Sequence, residues 1–497
     1  MHSFIRTFLF FLISLSFCFS QDIKKEIKWA ETFGGAGDDA ATHIVYDYVD
    51  GQETLLIGGN FTNQMTIGSE TLTGNPAGIF LARFDMKGEL IWAKDFSGNG
   101  ELILTDLTVD NNNAIFLTGN FSSTIHIQGE PFTNDANSDR SYFITQLDST
   151  GTKKWAWPYI APGENATSTK MLAFQDGELL MAGSRIKRDG TNQFLFFGRI
   201  STGGQWIQLK TMWGSGIKEI TDISYDHQDN AIVMCGNFES ALEYDDDDGK
   251  FNLTGTNDFF VAVFNEQLQL QSIYQNGGAG TEVASAIVLA DGALHVAGTY
   301  DSPFDFAGKT LPNDGNRDGF LLVYDPILFG KTYEEDFFDR FGGTGDISIT
   351  SADVYKRGAD IRSVTGNFSG ALTLPTGESV TATGIQDIFS FRRDDRTNDE
   401  VLYHFGNSGK NSISDMIALR GVPLFVGSFA NTIDFDGTPK VSQGASDGFL
   451  LSFNDIFSFP IASEVWVRQI SPTANQIFWE DLLLNEAGIS VFRMDDS

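Results

Sequence analysis

Hydrophobic positions along this chain come in short runs cut by Gly, Asn and Asp, and one phrase keeps returning. It reads Gly59-Asn60-Phe61, Gly119-Asn120-Phe121, Gly236-Asn237-Phe238 and Gly366-Asn367-Phe368, with looser copies at Gly183-Ser184-Arg185, Gly298-Thr299-Tyr300 and Gly427-Ser428-Phe429. The seven glycines lie a mean of about 61 residues apart, and a fixed period of this kind marks a repeat architecture.

Other features keep the same beat. About twenty residues after each glycine comes an aromatic strand, from Phe80-Leu-Ala-Arg-Phe84 through Phe143, Phe196, Phe260, Phe320 and Phe389 to Phe449-Leu-Leu-Ser-Phe453. In the later copies Asp258, Asp318, Asp387 and Asp447 stand two residues ahead of the aromatic. A third feature is an aromatic pair four residues apart, then a glycine: Trp29, Phe33, Gly37; Trp92, Phe96, Gly100; Trp155, Tyr159, Gly163; Phe337, Phe341, Gly345. Even spacing puts both aromatics on one face of a strand, and the Gly-Gly pairs and β-formers around them favour strand over helix. Each unit therefore predicts four strands, in the first near His43–Asp47, Thr54–Phe61, Ile79–Phe84 and Glu89–Phe96, joined by glycine and Asn/Asp turns. A four-stranded sheet repeated seven times predicts an all-β, seven-bladed β-propeller, because a ring covers both apolar faces of every sheet. A linear stack would need polar caps at its ends.

The units resemble the bacterial secreted seven-bladed beta-propeller (SBBP) repeats. Their Gly-Gly-x-Gly-Asp opening is matched by Gly34-Gly35-Ala36-Gly37-Asp38, and they share the Gly-Asn-Phe centre and the Asp-x-Phe third strand. The resemblance covers roughly 26–458, with units three and four departing most, and implies a fold and an exported location but no reaction. The outer aromatic strand occurs before unit one and after each of the first six units. Glu26–Phe33 is therefore expected to pair beside Phe449–Phe453 and close the ring, removing two sheet edges. The rival for that place is Phe457–Phe459.

Residues 1–20 read as a signal peptide: Arg6 precedes an apolar run from Phe8 to Phe17, and Cys18 and Ser20 precede a cut before Gln21. The alternative is a lipid anchor on Cys18. No later segment is apolar and long enough to span a bilayer. Residues 21–459 form the propeller and 460–497 the tail. There Asn475-Gln-Ile-Phe-Trp479-Glu-Asp481 and Asn485-Glu486-Ala-Gly488 are similar to the opening half of a fibronectin type III domain, which needs about 90–100 residues. The expectation is an incomplete reading of a longer chain, or extra strands packed on the propeller.

Composition adjusts this picture without changing it. Asp and Glu number 66 against 33 Lys and Arg, a net charge of −33, which argues against a nucleic-acid partner and suits solubility outside the cell. Two cysteines build no disulfide framework. The chain lacks G-x-S-x-G, H-E-x-x-H and C-x-x-C, and its six histidines are scattered. Two acidic features are candidates. Asp38, Asp39, Glu101, Glu164, Glu282 and Asp346, in the turns leading to each innermost strand, would ring a channel mouth and hold a cation or a hydroxyl-rich ligand; the bland account is turn chemistry. Asp314-Gly-Asn316-Arg-Asp318-Gly319, ending at Asp325, fits a calcium-loop template, against a plain hairpin turn. Beyond that calcium, no cofactor is expected.

Two functions follow. One is an exported, non-catalytic module binding a protein or glycan at the cell surface or outside the cell. The other is a propeller enzyme, either glycan-cleaving through paired channel carboxylates or quinoprotein-like. The second variant rests on Asp85-Met-Lys-Gly88-Glu-Leu-Ile-Trp92, which is similar to the Asp-x-x-Gly…Trp repeat of quinoprotein dehydrogenases.

Overall fold

The computed structural model describes residues 27–479 apart from 160–162, 175–176, 188–192, 227–229, 247–248, 291–292, 325–336, 357–359, 396–397, 436, 438, 454–464 and 472–473. The leader, Glu26, Asp325, Phe457–Phe459 and the end of the tail thus lie outside the described residues. The fold is all-β and antiparallel. Blade one runs from the innermost strand outwards as Ala40–Val49, Gln52–Ile67, Glu70–Asp85 and Leu90–Gly98. Blade two is Leu102–Val109, Ile115–Phe121, Ser141–Leu147 and Lys153–Tyr159. Blade three is Glu164–Ala173, Leu179–Lys187, Gln193–Ile200 and Trp206–Met212; blade four is Lys218–Asp226, Ala231–Asp246, Gly249–Asn265 and Leu270–Asn276. Blade five is Glu282–Ala290, Ala293–Tyr300, Asp318–Tyr324 and Phe337–Gly343; blade six is Ile347–Lys356, Asp360–Phe368, Asp387–Asp394 and Asp399–Phe405.

Blade seven takes Asn411–Leu419, Val422–Phe429 and Asp447–Phe453 from the end of the repeat region and its outer strand, Ile27–Gly35, from the beginning. The register runs from Ile27 opposite Phe453 to Phe33 opposite Gly448, as the count of outer strands required. The innermost strands touch their neighbours in chain order, and Asn411–Leu419 packs back on Ala40–Val49, so the seven blades form a ring. One apolar cluster fills each of the seven seams. Because both faces are covered, central strands such as Ile115–Phe121, Asp318–Tyr324 and Asp447–Phe453 are buried at every position, their polar members Asn120, Asp318 and Asp447 included.

The repeated residues now have physical reasons. A Cβ on Gly59 would stand 2.0 Å from the Ala40 carbonyl oxygen and 2.7 Å from the Phe80 ring, so the glycine lets the inner strand and the third-strand aromatic close on it. The asparagine after it reaches the next blade: the Asn60 side chain donates to the Leu102 carbonyl at 2.9 Å and accepts from the Leu104 N–H at 3.2 Å. Asn367 makes the same pair of bonds with Ile413. In blades seven and five a Gly-Gly pair ends the outer strand where the next blade's hairpin crosses it, Gly35 lying opposite Met65 and Gly343 opposite Leu372. That hairpin between second and third strands, as in Thr124–Ile127 with Glu130–Thr133, is an addition to the expected four strands.

Candidate functional site in the central channel

Every innermost strand carries a β-bulge, which re-aims the residues beside it. In six blades the bulged residue is Ser or Thr (Thr42, Thr105, Thr221, Ser285, Thr350 and Ser414), directly after the position paired with the repeat glycine. In blade three the bulge falls earlier, between Ala166 and Ser168. The position paired with the residue just before the repeat glycine is then His43, Asp106, Lys170, Asp222, Ala286, Ser351 and Asp415 in blade order, one level of the ring. His43, Asp106, Lys170, Asp222 and Asp415 retain contact with solvent, His43 and Asp106 at 14% and 15% side-chain exposure, whereas Ala286 and Ser351 are buried.

Three of them are carboxylates doing one job. Asp106 accepts the Leu107 N–H at 2.9 Å and, from blade three, the Met171 N–H at 2.5 Å. Asp222 accepts from Ile223 and from Ile287 of blade five, both at 2.9 Å. Asp415 accepts from Met416 at 2.8 Å, from Ile44 of blade one at 3.1 Å and from the Ser351 hydroxyl at 3.2 Å. Asp353, two residues further along its strand, bonds Val354 and Ala418 of blade seven in the same way. Each carboxylate thus uses both oxygens as a clasp from its own blade to the next.

Lys170 supplies the counter-charge. Burial acts to lower its pKa, but Asp106, Asp222 and Asp415 outweigh that and leave it raised. Burial lifts the carboxyls in turn: Asp222 is pushed up to about 6 and Asp415 to about 7, with Lys170 and the backbone donors pulling back, and Asp106 moves the same way. Burial and the Lys170 cation hold His43 down at about 3. Its Nε2 lies 3.1 Å from the Thr105 carbonyl, so that nitrogen donates, and Nδ1 faces the Thr42 hydroxyl at 2.8 Å. Cys235, opposite Asp222, is buried, and burial raises its thiol far above the usual range, away from nucleophilic chemistry.

The turn carboxylates lie elsewhere and divide into two sets. Asp39 and Glu282 are fully buried. Asp39 accepts the Gly35 N–H at 2.6 Å and the Thr62 N–H at 3.3 Å, while Glu282 accepts from Gly278 at 2.9 Å. Burial raises Asp39 to about 6 and Glu282 to about 7. Asp38, Glu101 and Asp346 are exposed. Glu101 forms a two-bond pair with Arg140, and Glu164 pairs with Arg185 at 3.2 Å. Asp38 accepts the Ser446 hydroxyl at 3.4 Å, and the Asp346 backbone forms an isolated β-bridge with that of Arg317. At the calcium-like loop, Arg340 sits 2.5 Å from Asp314 and 2.6 Å from the buried Asp318, placing a guanidinium between the two carboxylates; Asn316 lies in the turn beside them. Among the described residues no group of three or more His, Cys, Asp or Glu is disposed to hold a metal ion.

The Asp-x-x-Gly…Trp elements serve the seams. Trp29 of blade seven donates from Nε1 to the Met86 carbonyl at 3.1 Å, over Gly88 in the turn of blade one. Trp155 and Trp157 donate to Thr202 and Gly203 in the turn of blade three.

No protein-family model and no curated protein matches the chain. Among solved structures it is similar to cobalt-substituted Synechocystis ACO (11% identity, TM-score 0.38, covering 85% of this chain and 93% of that one). It is likewise similar to a Hadza microbial sialidase (7%, TM-score 0.34, 85% and 93%) and a mannose phosphorylase from Leishmania mexicana (12%, TM-score 0.26, 63% and 93%). Likenesses this distant carry no chemistry to the present chain.

Proposed function

We propose that the chain is an exported binding module of the SBBP-repeat type, with a propeller over 21–459 that presents a rigid ring to a protein or glycan. The observation that supports this best is the use of the channel carboxylates. Asp106, Asp222 and Asp415 each have both oxygens engaged by fixed backbone donors of two blades. These bonds commit each carboxylate to holding two blades together, a structural role that accounts for its place in the channel. Trp92, which carried the quinoprotein resemblance, lies against Gly151 in the turn of the next blade, and Trp155 donates to Thr202 of the blade after that. The leader at 1–20, cut before Gln21, would place the module outside the cell or on its surface, and the tail from 460 would begin a further fibronectin-like unit. Among the described residues no helix is long and apolar enough to cross a membrane.

The purified chain should bind at least one ligand in a combined protein and glycan screen while turning over none of a glycosidase substrate panel. Hydrolysis that disappears in Asp222→Asn would overturn the module reading in favour of the enzyme. N-terminal sequencing of the exported protein should begin at Gln21.

A further inference from the structure

Large apolar side chains left exposed concentrate on one sector of the wheel. Of nine among the described residues, five are Trp157, Ile207, Leu209, Trp213 and Ile217, from the outer strand of blade two to the entry of blade four. Ile207 and Leu209, at 50% and 45% exposure, stand on Trp206–Met212, the strand at the outer edge of the blade-three sheet. Trp157 joins that wall, its ring lying against Gly204 two residues before the strand.

Other outer strands protect their edges. In blades seven, two and four a bulge near the start of the strand turns out Lys28, Lys154 and Gln271, all exposed, and such polar residues discourage edge-to-edge pairing. In blade three the bulged residue is Ile207. Blade one also bulges an apolar residue, Ile91, but exposes Lys94 and Asp95 further along the same strand. After Ile207 come the neutral Gln208 and Leu209, then a buried Lys210.

The charge pattern singles out the same sector. Positions 153–218 hold nine Lys or Arg and four Asp or Glu, a net of +5 in a chain of −33. Several of these cations are matched locally: Lys154 by Asp148, Arg185 by Glu164, Arg199 by Glu178, and Lys218 by three carbonyls of its own loop. The remainder of the chain carries the balance, −38, so this is the sector through which two copies approach with least repulsion.

We propose that two copies of this chain join here, the outer strand of blade three against its twin about a two-fold axis. A two-fold sets one segment opposite itself, so a single self-complementary patch suffices. Ile207 and Leu209 would leave water against their counterparts, and the open strand edges would share backbone hydrogen bonds. An acidic partner fits less well, because the local ion pairs leave little free positive charge to attract it.

Sedimentation equilibrium and light scattering on the full chain test this. A dimer should be populated by about 10 µM, as modest interfaces are. Ile207→Lys and Leu209→Lys should each weaken association by about tenfold or more without changing the β-sheet circular dichroism, and Leu209→Ile should stay within about threefold. Raising salt from about 50 to 500 mM should leave the dimer intact, since apolar burial and backbone pairing hold it. A chain still monomeric at about 100 µM, or a dimer indifferent to both lysine substitutions, would overturn the proposal. So would a dimer that falls apart as salt rises, which would mark docking through charge.

Discussion

The channel row and the entry turns use the same residue types to different ends. In the row, Asp106, Asp222 and Asp415 are half-buried, face Lys170 and join neighbouring blades. In the turns, Glu101 reaches one exposed arginine and Asp38 one serine hydroxyl. The difference teaches that a carboxylate's consequence is set by how many fixed donors it alone satisfies. Removing an exposed pair returns both partners to water, whereas removing a clasp leaves backbone N–H groups of two blades dry.

The largest effect that would break this contrast is its absence in Asp415→Ala. That change strands the Ile44 and Met416 N–H groups and should destabilise the fold by about 2–4 kcal/mol in denaturant unfolding, with Asp415→Asn losing less because an acceptor remains. A second test uses pH. Asp39 and Asp222 at about 6, and Glu282 and Asp415 at about 7, lie above their unfolded values, so the folded state takes up protons that the unfolded chain does not. Their contribution is present at low pH and lost as pH rises through 6–7. His43 at about 3 and His295 at about 4 act oppositely, losing stability as pH falls below 6.5. Four acids outweigh two histidines, so the melting temperature should rise by about 2–4 °C from pH 7.5 to 5.5. At the small end, Glu101→Gln should change stability by less than about 0.5 kcal/mol, since its pair with Arg140 is exposed. Smallest of all, millimolar calcium should move the melting temperature by under about 1 °C, because the Arg340 guanidinium already sits between Asp314 and Asp318.

The ring was legible because each unit needs the same close approaches. Gly59 and its copies must admit a carbonyl and a phenyl ring, and the outer-strand count fixed Ile27–Gly35 as the closing strand. The channel row was not legible for a reason of register. A bulge of one residue decides which side chain faces the axis, and no spacing announces it: His43 stands 16 residues before its glycine, Asp106 13 and Ala286 12. Lys170 is harder still, since its blade shifts the bulge and reads simply Ser168-Thr169-Lys170. The usable signal was a Ser or Thr followed by a polar residue at the start of most inner strands, as in Thr42-His43, Thr105-Asp106, Thr221-Asp222, Thr350-Ser351 and Ser414-Asp415. The turn carboxylates drew attention first because glycines frame them.

The most direct measurement is the thermal unfolding of Lys170→Met beside the parent at pH 7.5 and pH 5. With the row acting as a charged clasp, the variant should melt well below the parent at pH 7.5, where Asp106, Asp222 and Asp415 would face one another uncompensated, and the gap should narrow at pH 5 as they take up protons. An equal gap at both pH values, or none at either, would contradict the account.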